Sequence, residues 1–77
     1  MPDSQAAAPG HIRVRANGDF FDVPVGTSLE AFLKMRGQAI GRVVVERNGE
    51  ALSPMEQRGV VLESNDVLEI VRLVAGG

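Results

Sequence analysis

Apolar and polar positions alternate along residues 11–25, on both sides of the pair Asn17-Gly18. Alternation with a period of two marks strands with one face on a core. Both central positions of a tight type I′ hairpin turn need positive φ, which Asn-Gly supplies at little cost. Pairing about that turn sets Val14 opposite Phe21 and Ile12 opposite Val23, four residues that share the core face. The other face pairs Arg13 with Asp22, an opposite-charge contact, and Arg15 with Phe20, a cation–π contact. This register leaves an aromatic side chain, Phe20, on the outer face.

The period then changes. Gly26 breaks the strand, and Thr27 with Glu30 fits a T-x-x-E capping box. Leu29, Phe32 and Leu33 form one apolar stripe at helical spacing, and Gly37 supplies a stop. The pattern predicts a helix over residues 28–36, too short to stand alone and therefore packed on a sheet. Residues 42–52 read as a second hairpin about Asn48-Gly49, with Arg47 facing Glu50. Val43, Val45 and Leu52 point one way, Val44 and Glu46 the other. Ser53-Pro54-Met55-Glu56 predicts a turn or single helical turn, with Ser53 as cap and Pro54 at its first position. Leu62 is assigned to the core. Ser64-Asn65-Asp66 is a turn in which Asn65 takes the left-handed conformation. Residues 67–74 form the last strand, with Leu68 and Ile70 inward and Glu69, Val71 and Leu73 outward.

The order is two strands, a helix, two strands, a short turn and a final strand. One mixed sheet with the helix across one face accommodates both hairpins. The last strand then lies between the first and third, parallel to the first through the helical crossover. This is an α+β, β-grasp (ubiquitin-like) architecture of about five strands and one main helix. Residues 1–10 have two prolines, small residues and no periodicity, and read as a disordered extension. Residues 11–74 make the domain and residues 75–77 a flexible tail.

Composition narrows the function more than it suggests one. The 77 residues hold a single small domain of net charge −2, with no basic run to neutralise phosphates, so nucleic acid is not an expected partner. No apolar stretch reaches the ~20 residues a membrane span needs, and the first residues lack a signal peptide's pattern, so the expected location is cytoplasmic. There is no Cys, hence no thiolate nucleophile or thiolate metal site, and the one histidine, His11, starts a strand. Neither Asn-Gly pair opens a helix as a phosphate loop does. Ser28 and Ser53 sit at or near caps with no base to activate them.

Two features remain. The outward set Phe20, Val44, Val71 and Leu73 forms a candidate docking patch that continues toward the tail. The strand itself runs into Val74-Ala75-Gly76-Gly77. Glycine is the residue most costly to order, so Gly76-Gly77 adds nothing to a core. Two residues without a Cβ do pass through a narrow channel, and the group they carry there is the carboxylate of Gly77. The chemistry is therefore expected at Gly77, with Gly76, Ala75, Val74, Leu73, Val71, Val44 and Phe20 as partner-binding residues and no metal.

Asn48-Gly49-Glu50, then Asp66-Val67-Leu68-Glu69-Ile70-Val71, then the terminal Gly-Gly, together with Gly26-Thr27-Ser28-Leu29, resemble the sulfur carrier proteins of thiamine biosynthesis, the ThiS family, over residues 12–77. The resemblance implies a carrier that is not itself an enzyme and binds no cofactor. An adenylating, ubiquitin-activating-type enzyme uses ATP to activate the Gly77 carboxylate, and a sulfur donor converts the adenylate to a thiocarboxylate. A thiazole synthase or equivalent acceptor then takes the sulfur. The end Ala75-Gly76-Gly77 is similar as well to the small subunit of molybdopterin synthase. A ubiquitin-like modifier joined through Gly77 to a lysine shares the same activation chemistry. These two readings stay open at the level of sequence.

Overall fold

The computed structural model describes residues 7–74. The first hairpin is β1 (His11–Ala16) and β2 (Asp19–Pro24), followed by helix α1 (Leu29–Met35). The second hairpin is β3 (Val43–Arg47) and β4 (Glu50–Leu52), followed by a five-residue helix α2 (Pro54–Arg58) and the last strand β5 (Val67–Arg72). The five strands form one sheet in the order β2-β1-β5-β3-β4. β5 lies in the middle, parallel to β1 and antiparallel to β3. This is the β-grasp expected from the pattern.

Both hairpin registers follow from their turns. Val14 pairs with Phe21, Ile12 with Val23, Arg13 with Asp22 and Arg15 with Phe20, while Asn17 takes a φ of 50° at the turn. Arg47 pairs with Glu50 beside Asn48, whose φ is 53°. Val14, Val23, Phe32, Leu33, Val45, Leu62, Leu68 and Ile70 are among the residues that close the core, with Ile12, Phe21 and Leu52 packed at its edge. Phe21 meets the fully buried Phe32 edge to face, 5.5 Å between centroids.

The helix start differs by one residue from the Thr27 cap. Ser28 is the N-cap, its hydroxyl accepting from the Ala31 amide, while Thr27 turns back and donates its Oγ1 hydrogen to the Pro24 carbonyl. The reason is tertiary. Ser28 bridges to Val61, and the Thr27 carbonyl accepts from the Leu62 amide, so the segment after Gly26 is held extended one residue longer. At the other end Gly37, φ 72°, and Gln38 donate to the Lys34 and Leu33 carbonyls, the paired bonds of a Schellman stop. The reciprocal capping box belongs to α2 instead. The Ser53 hydroxyl accepts from the Glu56 amide, and the Glu56 carboxylate accepts from the Ser53 amide. That backbone hydrogen bond holds the Glu56 carboxyl below the usual carboxylate range.

Of the stretch assigned to an N-terminal extension, residues 1–6 lie outside the described residues. Ala8 and Gly10 bond to the sheet: the Ala8 carbonyl accepts from His11 and the Gly10 carbonyl from Val25.

Candidate functional site

The end of β5 is the candidate site, and its position is set by two turn asparagines. β1 pairs with β5 only through Arg15–Val67 and Ala16–Leu68, because the chain then turns at Asn17. The Asn17 side chain continues the ladder in place of backbone. Its Nδ2 donates to the Ile70 carbonyl at 2.9 Å, and its Oδ1 accepts from the Ile70 amide at 2.7 Å. On the other side Asn48 clasps the start of the strand: its amide donates to the Val67 carbonyl and its Oδ1 accepts from the Val67 amide. Its Nδ2 donates to Asp66, a buried carboxylate that also takes bonds from Arg47 and from the Glu63 amide. β5 is thus anchored at its beginning by Asp66 and Asn48 and at its middle by Asn17.

Beyond Ile70 the strand has a partner on one side only. β3 follows it through Val44–Val71 and Val43–Arg72, and the Leu73 amide still donates to the Arg42 carbonyl. On the β1 side the hairpin has ended. Ladder parity aims the Arg72 N–H and C=O at that open edge, as it aims those of Ile70 at Asn17. The segment leading to residues 75–77 therefore leaves the sheet with one free edge.

Val71 and Val44 are direct cross-strand neighbours on the outer face, and Val71, Leu73 and Val74 are all more than half exposed. Val44, Val71 and, by alternation, Leu73 share the outer face at the root of the tail, and Val74 is exposed beyond the end of the strand. Phe20, also exposed, does not belong to that group. It sits level with Arg15 and Val67, two strands and four residues away, about 16 Å by strand spacing and rise. The Arg15 guanidinium lies 5.4 Å from its ring centroid and that of Arg13 at 6.0 Å. Arg13 also donates to Asp22 at 2.6 Å, and this hydrogen bond lowers the Asp22 pKa. Between the two patches Glu46 pairs with Glu69, like charges on one face, a sequence-distant juxtaposition that only the register reveals. Ala75, Gly76 and Gly77 lie outside the described residues. Among the described residues no group of three or more His, Cys, Asp or Glu could hold a metal ion, and no helix is long and apolar enough to cross a membrane.

The placement of Val71 and Leu73 carries a test. Val71→Asp and Leu73→Ser are expected to weaken binding to an adenylating enzyme of the kind the resemblance implies by about tenfold or more, and to shift the unfolding free energy by no more than about 0.5 kcal/mol. Titration calorimetry and urea unfolding measure the two. A loss of stability with unchanged binding would mean that these side chains serve the core. Asn17→Gly keeps the turn's positive φ and deletes both bonds to Ile70. It costs about 1–3 kcal/mol and speeds hydrogen exchange at the Ile70 amide ahead of the other β5 amides. Uniform exchange across β5 would show that Asn17 does not hold this point of the strand.

The central strand of this β-grasp domain thus runs past its β1 neighbour with an apolar outer face at its exit. Comparison with known proteins makes the class specific. The ThiS family matches residues 9–77, and the chain belongs to that family. A curated protein of Magnetococcus marinus described as thiazole synthase is 35% identical over 66 residues, 86% of this chain. The match takes in only 20% of that longer protein's length. The crystal structure of a thiamine biosynthesis protein, ThiS, from Geobacter metallireducens superposes with a TM-score of 0.70. That similarity, at 23% identity, covers 86% of this chain and all of the other.

Proposed function

We propose that the chain is a sulfur carrier of thiamine biosynthesis, acting as a co-substrate through the carboxylate of Gly77. The observation that carries this reading is the exit of β5 beyond Ile70, open on one edge and apolar on its outer face, leading into two glycines. Membership of the ThiS family supports it. The occurrence of a similar stretch in a protein described as thiazole synthase supports a synthase of that kind as the sulfur acceptor.

A carboxylate is a poor electrophile because both oxygens share its charge and neither leaves. In the proposed cycle a Gly77 oxygen attacks the α-phosphate of ATP on an adenylating enzyme, and pyrophosphate departs. Sulfide-level sulfur, HS⁻, then attacks the acyl carbon and AMP leaves with the former carboxylate oxygen. The resulting thiocarboxylate gives up its sulfur in the acceptor's site. The domain contributes position rather than catalysis. At about 3.3 Å per extended residue, the four residues after Leu73 reach ~13 Å into a partner. The absence of cysteine is consistent with sulfur held on the main-chain terminus.

Intact-protein mass spectrometry after incubation with the adenylating enzyme, ATP and a sulfur source tests the cycle. The expected product is heavier by about 16 Da, one oxygen exchanged for sulfur, with the change confined to the terminal peptide. A lysine-linked conjugate in place of that product would make the chain a protein modifier, and an unchanged mass would remove the carrier reading.

A further inference from the structure

Both side chains that clasp β5, Asn17 and Asn48, are followed directly by glycine. Asparagine amides are among the thermolabile side chains, and a glycine after one, having no Cβ, lets its main-chain nitrogen close on the asparagine Cγ. Around Gly18 and Gly49 the space a Cβ would take is open, and neither glycine's amide makes a hydrogen bond among the described residues. The two pairs differ in what holds the asparagine. Nδ2 of Asn48 donates to the Asp66 carboxylate at 3.0 Å, and Arg47 and the Glu63 amide hold that carboxylate in place. Such a charge-assisted bond is roughly twice as strong as a neutral one. The carboxylate also opposes the negative charge that gathers when a main-chain nitrogen attacks Cγ. Nδ2 of Asn17 donates only to the neutral Ile70 carbonyl, at 2.9 Å. The ladders beside them differ as well. β5 pairs with β3 over five residue pairs and with β1 over two. A short ladder opens at lower cost than a long one, so Asn17 leaves its clasp more readily than Asn48.

We infer that Asn17 is a site of spontaneous covalent modification, deamidation through Gly18, which proceeds ahead of Asn48 and frees the end of β5 from the first hairpin. The Gly18 nitrogen attacks the Asn17 Cγ, a C–N bond forms, and the bond from Cγ to Nδ2 breaks. Nδ2 leaves as ammonia and carries off the hydrogen of the Gly18 amide. Water then opens the cyclic imide at either carbonyl. One opening leaves aspartate at position 17, the other isoaspartate, in which the main chain runs through the former side chain. Amide and water are converted to carboxylic acid and ammonia, with no oxidant or reductant, and ionisation of the acid adds one negative charge to the net −2 of the chain. A carboxylate only accepts, so the group that donated to the Ile70 carbonyl at 2.9 Å is replaced by an oxygen that repels it. The side chain withdraws, and the 2.7 Å bond from the Ile70 amide is lost with it. The free edge that begins beyond Ile70 then begins beyond Leu68, whose carbonyl still takes the Asn17 main-chain amide. Isoaspartate also adds a carbon to the main chain of the turn. Neither the reaction nor its effect on β5 depends on what the tail carries.

Incubation of the full chain under mildly alkaline conditions, followed by peptide mapping, tests the site. Each event adds about 1 Da, and enzymatic methylation marks the isoaspartate. In urea the two Asn-Gly pairs are expected to react alike, because an acidic residue follows each of them and neither keeps its clasp. In the folded chain the modified fraction at Asn17 is expected to exceed that at Asn48 by about threefold or more. Asn48 reacting as fast as Asn17, or both remaining intact while the chain is folded, overturns the proposal. The modified chain, separated by its added charge on an anion exchanger, and the variant Asn17→Asp then report on the strand. In each, hydrogen exchange at the Ile70 amide is expected to be faster than in the unmodified chain by about tenfold or more, while the Val67 amide, which Asn48 holds, exchanges as before. Residue 17 is exposed at a turn, so circular dichroism of both species is expected to match the unmodified chain. Ile70 exchange at the unmodified rate in both species shows that the strand end does not need Asn17 and overturns the proposal. A rise at Val67 equal to that at Ile70 marks a general loosening of the sheet and overturns it as well.

Discussion

Loss of Gly77 is expected to abolish ATP–pyrophosphate exchange and to leave the domain as stable as before. The two halves of this result have separate causes. Glycine has no side chain to bury, so its removal costs the fold no more than a surface change, about 0.5 kcal/mol or less. The proposed adenylation has no such tolerance, because the attacking carboxylate oxygen must lie in near-attack geometry with the α-phosphate. Shortening the chain by one residue withdraws the carboxylate by about 3.3 Å, and ~1 Å of misplacement already costs about a hundredfold. Adding one residue after Gly77 displaces it equally and gives the same loss. Gly76→Val lies between, since the carboxylate stays in register while a branched side chain enters a passage suited to none. Exchange rates and thermal melts of the three variants provide the measurement. Native-rate exchange without Gly77 would mean that the reactive group lies elsewhere.

Phe32→Ala is expected to leave the domain close to its unfolding midpoint. Phe32 is fully buried on the inner face of α1, against the edge of Phe21 and beneath the Arg36 guanidinium, which lies 5.8 Å from its ring centroid. Truncating such a ring costs about 3–5 kcal/mol, from lost transfer free energy and from the cavity left behind. A core of this size supplies a net stability of only about 3–5 kcal/mol, so the substitution removes nearly all of it. Phe32→Leu retains most of the buried area and costs distinctly less. Urea unfolding followed by far-ultraviolet circular dichroism measures both. A loss under about 1 kcal/mol for the alanine variant would show that the sheet closes over the gap.

The two experiments separate the fold from its use. Variants along β5 extend the comparison, because Leu68 and Ile70 are buried while Val67 and Val71 are exposed. Alternation along a single strand thus divides residues that hold the domain together from residues available to a partner.

Sequence alone determined the elements and most of the registers. Asn17-Gly18 and Asn48-Gly49 specify tight turns, and a two-residue turn leaves only one pairing for the strands beside it, so Val14–Phe21 and Arg47–Glu50 were legible. The stripe Leu29-Phe32-Leu33 named the buried face of α1 for the same local reason. The role given to Gly76-Gly77 rests on sequence, because residues 75–77 lie outside the described residues. What required tertiary structure depends on which distant segments become neighbours. Asn17 and Ile70 are 53 residues apart, and no turn signal announces that a turn side chain will stand in for a missing strand. Asp66 read as a turn residue, yet it is buried because Arg47, Asn48 and the Glu63 amide converge on it. The helix begins at Ser28 rather than Thr27 because Val61 and Leu62 pair with the segment before it. Phe20 shares a face with Val44 and Val71 but not a location, since alternation fixes the side of a sheet and only strand order fixes distance across it.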